Sequence, residues 1–190
     1  MAARLETINP GIILDAACGT GDVAMEIYGG KRKTPTIIGF DFARDMLAYA
    51  MNKKRKACAK KVHFIAADAF NLPFKKSAFD GITIAFGIRN IRDRLKVLKI
   101  FYDILKPGGM LVILEPGMPE KGFLSMCYLF YFKKILPRIG KMISNNPYAY
   151  RYFSDSVANF PRPDEFSRIM KAAGFQKTEW EKLTLGAAVM

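Results

Sequence analysis

Leu14-Asp15-Ala16-Ala17-Cys18-Gly19-Thr20-Gly21-Asp22 is a glycine turn between two carboxylates, and the apolar run Ile12-Ile13-Leu14 leads straight into it. An apolar run that ends in such a turn marks the junction between a strand and a helix, where glycines let the backbone approach a ligand closely. Outward from this turn the same texture repeats. Apolar runs bounded by turn residues predict strands over 12–17, 36–41, 62–66, 79–86 and 109–115. Helical patterns fill most of the gaps, with long helices over 45–59 and 92–105, the second stopped by Pro107-Gly108-Gly109. Alternation of this kind implies a mainly parallel sheet with helices on both faces and a ligand site outside the carboxyl ends of the strands. Past the fifth strand, an aromatic-rich region over about 116–160 reads as an insertion. A helix over 163–173, an alternating strand over 175–183 and the start of a final strand over 186–190 complete the expectation.

The chemistry gathers at the strand ends. Gly19-Thr20-Gly21 with Ala24 also satisfies GxGxxA, a pattern that by itself fits a dinucleotide. The flanking charges argue otherwise, because Asp15 and Asp22 would repel a pyrophosphate. S-adenosylmethionine has no phosphate and carries an ammonium and a sulfonium, so the turn favours a methyl donor over NAD. Asp41 ends the second strand 20 residues after Gly21, the spacing at which a carboxylate accepts ribose hydroxyls; a cap on the next helix is its structural alternative. Asp68 and Ala69 follow the third strand, ahead of Phe70-Asn71-Leu72-Pro73-Phe74. They offer a carboxylate for an adenine amino group and apolar side chains for its faces, against a plain turn or cap role for Asp68. The fourth strand ends in Ala85-Phe86-Gly87-Ile88-Arg89-Asn90-Ile91, which sets a cation and an amide beside that pocket.

At 190 residues the chain fits one domain over 1–190, large enough to bury a three-layer core without disulfides or metals. Cys18, Cys58 and Cys127 are odd in number and lack metal-ligand spacing, which points to a reducing compartment and no metal site. The start of the sequence shows no basic-then-apolar leader, and the longest uncharged apolar run, Phe123 to Phe132, is about half a membrane span. A cytoplasmic protein, peripheral at most to the inner membrane face, is the expectation. The net charge of +13 favours anionic surfaces. Much of it lies in Lys31-Arg32-Lys33, Lys53-Lys54-Arg55-Lys56, Lys60-Lys61 and Lys75-Lys76, runs that also suit a solvated face.

The pieces Asp15-Ala16-Ala17-Cys18-Gly19-Thr20-Gly21-Asp22, Ala67-Asp68-Ala69-Phe70-Asn71-Leu72-Pro73-Phe74, Phe86-Gly87-Ile88-Arg89-Asn90-Ile91 and Leu105-Lys106-Pro107-Gly108-Gly109 together resemble the ubiquinone/menaquinone C-methyltransferase family. The first and last are common to many class I methyltransferases, whereas Phe-Gly-Ile-Arg-Asn is far more specific. Leu136-Pro137-Arg138-Ile139-Gly140, Tyr148-Ala149-Tyr150-Arg151-Tyr152, Ser156 and Phe160-Pro161 extend the likeness over essentially the whole chain. The resemblance implies a Rossmann-like three-layer αβα sandwich with strand order 3-2-1-4-5-7-6 and strand 7 antiparallel. It also implies S-adenosylmethionine held through Thr20, Asp41, Asp68 and Ala69, and a prenylated quinol as acceptor. Family members carry a longer segment before the first strand and run on past the last one, and some have a serine at the position of Ala85. A shortened paralogue that binds the cofactor without turning over a quinol, and a methyltransferase of another small molecule, therefore stay open as alternatives.

Methylation of a quinol ring carbon requires an adjacent hydroxyl to give up its proton, and a phenol titrates near pH ~10. The single histidine, His63, falls on the third strand and suits a structural role. Arg89 and Asn90 are the candidates to stabilise the developing oxyanion, and Asp22, or a water held by Arg89 and Asn90, to accept the proton. The structural alternative for Arg89 is a salt bridge to a neighbouring carboxylate. Phe123 to Phe132, followed by Lys133-Lys134, offers a surface for a prenyl tail or an ordinary buried helix. Partners admitted are the quinol, an anionic membrane and a second copy of the chain. Nucleic acid ranks low: the Asn146-Pro147-Tyr148 run lies too far downstream for a base-methylating clamp and reads as a turn, and no cysteine is placed for cytosine C5 chemistry.

Overall fold

The computed structural model describes residues 1–30, 34–117 and 147–190. The expected insertion falls mostly between those segments. Lys31-Arg32-Lys33, the Phe123 to Phe132 run, Lys133-Lys134, Cys127, the Leu136 to Gly140 motif and Asn146 therefore lie outside the described residues.

Within them the order is α1 (Ala2–Glu6), β1 (Ile12–Ala16), α2 (Asp22–Tyr28), β2 (Thr36–Asp41), α3 (Arg44–Lys56), β3 (Val62–Ala66), β4 (Phe79–Ala85), a 3-10 turn (Ile88–Asn90), α4 (Arg94–Ile104) and β5 (Leu105–Pro116). The chain continues as α5 (Pro147–Ala158), α6 (Pro163–Ala172), β6 (Lys182–Leu183), a second 3-10 turn (Thr184–Gly186) and β7 (Ala188–Val189). One seven-stranded sheet results, in the order β3-β2-β1-β4-β5-β7-β6, as the resemblance implies. The pairs from β3 through β5 are parallel, and β7 runs antiparallel to both neighbours.

Period-two alternation sends neighbouring residues of each strand to opposite faces, and each face acquires its own core. On one side Leu14, Ile82 and Ile84 pack with Val97, Leu98 and Phe101 of α4 and Phe166 of α6. On the other, Ile13, Ile37, Val62 and Val112 pack with Ala24 and Ile27 of α2 and with Leu5. Leu5 is fully buried and anchors α1, a short helix that the sequence patterns did not predict. Phe64 of β3 lays its ring across two glycines: a Cβ on Gly39 would lie 2.6 Å from it and one on Gly21 2.7 Å.

Three expectations change. Of the strand expected over 175–183 only Lys182–Leu183 is strand, and the chain before it is irregular. As an edge strand β6 pairs with β7 alone, and its backbone bonding extends one residue further, to Glu181 opposite Met190. The apolar positions upstream instead serve packing, with Phe175 edge-on to Tyr102 of α4 at 5.4 Å between ring centroids. The final strand is likewise interrupted by the turn at Thr184–Gly186, leaving Ala188–Val189 to pair with Pro116 and Glu115. Conversely β5 starts at Leu105, before Pro107-Gly108-Gly109, because an irregular register between Phe79 and Gly81 lets Leu105 and Met110 pair with them in turn. His63 lies on β3 as expected, with its side chain exposed.

Candidate cofactor and acceptor site

The turn between β1 and α2 owes its shape to two carboxylates that it carries or meets. Gly19 and Gly21 have positive φ, and nothing lies within 4 Å of where a Cβ on Gly19 would stand. The turn is therefore tight below and open above. Asp41, at the end of β2, accepts a hydrogen bond from Gly19 N at 2.8 Å and another from Ala43 N at 2.8 Å. It thus joins the glycine turn to the start of α3. The helix cap expected of it falls to Ala43, which caps with no side chain.

Asp15 is placed differently from the ligand-facing charge expected of it. It is buried beneath the turn, accepting from Thr83 Oγ1 at 2.7 Å and Ala24 N at 3.1 Å. Burial pushes its carboxyl up to about 7 against the lowering effect of those two bonds, and the charge of Asp41 adds to the rise. Asp15 therefore fastens β1, β4 and α2 around the turn, and the negative charge presented outward comes from Asp22, Asp41 and Asp68. Cys18, half-buried in the same turn, has its thiol pushed up by burial and by Asp15 and Asp41, so it is no nucleophile.

Thr20 Oγ1 donates to Asp22 Oδ2 at 2.6 Å, and Lys53 reaches over from α3 to donate to Thr20 Oγ1 at 3.0 Å and Asp22 Oδ1 at 2.6 Å. Lys53 and Thr20 hold the exposed Asp22 carboxyl below its ordinary range. In the sequence Lys53 falls in a basic run that suits a solvated face; its contact with the turn depends on how α3 packs against α2. Asp68 folds its own turn, accepting from Phe70 N at 2.9 Å, with Ala69 between them. Phe42, immediately after Asp41, is 82% exposed, and Phe70 is also exposed, so aromatic surface flanks the carboxylates at the ends of β2 and β3. An open glycine turn, outward carboxylates and exposed rings suit a cationic adenosine compound.

The end of β4 supplies the second half of the site. Phe86 adopts φ +56, a costly conformation for a bulky residue, and turns the chain sharply into the Ile88–Asn90 turn. Arg89 folds back from there: its Nη1 donates to Glu115 Oε2 at 2.9 Å and to Phe86 O, and its backbone N donates to Glu115 Oε1 at 3.2 Å. Only 11% of the Arg89 side chain is exposed and Glu115 is buried, which makes this the salt bridge foreseen as the structural alternative. Burial raises the Glu115 carboxyl although Arg89 opposes the rise. Phe153 of α5 covers the guanidinium at 5.3 Å from its ring centroid, and Arg94 of α4 donates to Arg89 O at 3.0 Å. Asn90, which is exposed, accepts from Tyr152 Oη of α5 at 3.0 Å.

Strand order and strand-end chemistry are those of a class I methyltransferase, and a family match decides which one. The family described as the ubiE/COQ5 methyltransferase family matches residues 2–190. The chain belongs to that family. The family's chemistry makes it an S-adenosylmethionine-dependent methyltransferase, and the acidic cleft fits that cofactor. Among curated relatives, the demethylmenaquinone methyltransferase of Thermus thermophilus is 45% identical over 95% of this chain and 81% of its own. The ubiquinone/menaquinone biosynthesis C-methyltransferase UbiE of Geotalea daltonii is 43% identical over 95% of this chain and 77% of its own. The fold recurs in a crystal structure of a SAM-dependent methyltransferase from Aquifex aeolicus, at TM-score 0.67 and 17% identity, covering 94% of this chain and 79% of that one.

Lys53, Thr83 and Glu115 are the site residues that sequence reasoning missed. A polar Thr83 inside the apolar run of β4 and a carboxylate at the end of β5 were the available signals, since buried polar side chains in a parallel strand need partners.

Proposed function

We propose that this family member methylates a ring carbon of a prenylated quinol, a precursor of menaquinone or ubiquinone. The observation that carries the reading is the Arg89–Asn90 turn at the end of β4, next to the acidic cofactor cleft, in a chain 45% identical to a protein named as a demethylmenaquinone methyltransferase. S-adenosylmethionine, when bound, would supply an electrophilic methyl and a neutral thioether as leaving group. Thr20, Asp41, Asp68 and Ala69 would hold it, with Gly19 and Gly21 giving it room and Asp15 keeping the turn in shape beneath.

On the acceptor, a carbon–methyl bond forms while one proton leaves per turnover, so the protein must favour the quinolate over the quinol. Asn90 serves this by donating its amide to the developing oxyanion. Arg89 adds positive potential from behind, its plane fixed by Glu115 and Phe153. Of the two proton acceptors that the sequence suggests, Asp22 has its charge already stabilised by Lys53 and Thr20, which makes it a poor base toward a phenol. A water held at Arg89 and Asn90 serves as a relay rather than a base, carrying the proton on to solvent once the quinolate is stabilised. Among the described residues no helix is long and apolar enough to cross a membrane, and we infer that the protein meets its lipid-borne acceptor by peripheral contact.

Calorimetry with S-adenosylmethionine, followed by turnover on chemically reduced demethylmenaquinone, tests the reading. Cofactor binding with a methylated quinol as product is the expected result. Binding without turnover on any quinol would favour a role in binding the cofactor alone, and turnover only on other phenols would move the acceptor class.

A further inference from the structure

Tyr152 belongs to an aromatic motif that the cofactor cleft does not use, yet it touches the acceptor side of the site. It lies on α5, whose side chains meet the Ile88–Asn90 turn at two points: Phe153 over the Arg89 guanidinium and Tyr152 Oη on Asn90 Oδ1 at 3.0 Å. The two differ in exposure. The Arg89 side chain is 11% exposed and committed to Glu115, whereas Tyr152 is 59% exposed. A tyrosine that donates to an amide oxygen does two things at once. It fixes the amide with its oxygen toward the ring and its NH2 group facing elsewhere, and it keeps the lone pairs of its own oxygen available to a hydroxyl donor. The face of the turn that solvent can reach therefore carries an oriented amide donor and a phenolic acceptor side by side, the latter on an exposed ring.

Resting on the quinol reading above, we infer that Tyr152 is an acceptor-binding residue: in the bound ground state its Oη receives the hydroxyl of the quinol next to the carbon being methylated, a contact given up as that proton leaves, while Asn90 Nδ2 donates to the same oxygen throughout. A quinol hydroxyl donates one hydrogen bond and accepts another, so this pair matches it, and the tyrosine ring offers apolar surface to the quinol ring. A quinone has no hydroxyl to donate, so the pair also selects the reduced acceptor over the oxidised one. That selection is useful to an enzyme whose chemistry requires the electron-rich ring.

The test compares Tyr152→Phe with the parent protein on three measurements: affinity for S-adenosylmethionine, affinity for a short-chain demethylmenaquinol, and affinity for the mono-O-methyl ether of that quinol blocked at the hydroxyl next to the reacting carbon. Removing one hydrogen-bond partner changes affinity by about tenfold. The parent protein should bind the free quinol about tenfold more tightly than the ether, and Tyr152→Phe should bring the two near parity with cofactor affinity unchanged. The pair separates contact from architecture, since a purely structural Tyr152 would weaken quinol and ether alike. Such parallel weakening, or an undiminished preference for the free quinol, overturns the proposal. Tyr152→His, which restores a polar acceptor, should recover part of the preference. If the parent protein binds the cofactor but neither the quinol nor its ether, the quinol reading itself fails and takes this assignment with it.

Discussion

Asp15 shows how far a residue's position can separate it from the role its type suggests. A carboxylate beside a glycine turn reads as a charge aimed at the ligand, yet here it accepts from Thr83 Oγ1 and Ala24 N beneath the turn and is buried. Burial raises its carboxyl to about 7, above the ordinary value of 3.8 that it has in the unfolded chain. Between those two values the folded protein keeps a proton that the unfolded chain has released, so each unit of rising pH costs about tenfold in the folded-to-unfolded ratio; the loss stops above about 7. Asp15→Asn keeps the shape and removes the titration. Urea unfolding at pH 5 and pH 8 should show the parent protein losing more stability over this interval than Asp15→Asn does. Parallel losses in the two proteins would mean that Asp15 is not the group responsible.

Elements are held together at the amino end of the sheet by a second carboxylate. Asp80 of β4 accepts from Gly11 N at 2.9 Å and Ile12 N at 2.8 Å at the start of β1, and pairs with Lys106 of β5 at 2.8 Å. Partial burial would raise its carboxyl, but Lys106 and the two backbone donors prevail and lower it. Asp80→Ala should cost about 1–3 kcal/mol in urea unfolding, since it strips a charged acceptor from two backbone N–H groups and leaves Lys106 unpaired. A change under about 0.5 kcal/mol, the level of an ordinary surface substitution, would show that solvent replaces these contacts freely. The same scale explains where pattern reading of elements succeeds. The inner parallel strands β1, β2 and β4 are mostly buried, so their apolar runs are long, and the ends of β1 to β4 fall within one residue of expectation. At the edge, β6 and β7 are two residues each, too short for any periodicity to reveal.

At the scale of the molecule, the described residues carry a group of carboxylates at one end of the sheet and runs of lysine and arginine at the other. The outward carboxylates Asp22, Asp41 and Asp68 lie at the carboxyl ends of the strands. Arg55 and Lys56 at the end of α3, Lys60 and Lys61 before β3, and Lys75 and Lys76 before β4 gather at the amino ends. A cationic cofactor thus meets an acidic cleft within a chain of net charge +13, and the basic excess is free to meet an anionic surface. Binding to vesicles rich in anionic lipid should be strong at low salt and fall steeply by roughly 0.5 M NaCl, where the Debye length shrinks to a few ångströms. Replacing Lys56, Lys60 and Lys75 with Gln should weaken it while turnover of a detergent-dispersed quinol is kept. Equal binding to neutral vesicles would remove the electrostatic account. From the sequence alone followed the strand alternation, the glycine turn, the carboxylates Asp41 and Asp68 at successive strand ends, and the Arg89–Asn90 pair at the end of β4. These depend on local periodicity and residue chemistry, which the chain carries wherever it is placed. The tertiary structure alone decided that Asp15 lies under the turn, that Lys53 reaches Thr20 and Asp22, that Glu115 claims Arg89, and that Tyr152 meets Asn90. Each of those contacts joins elements distant in sequence, and its geometry follows from how helices pack on the sheet, which no local pattern encodes.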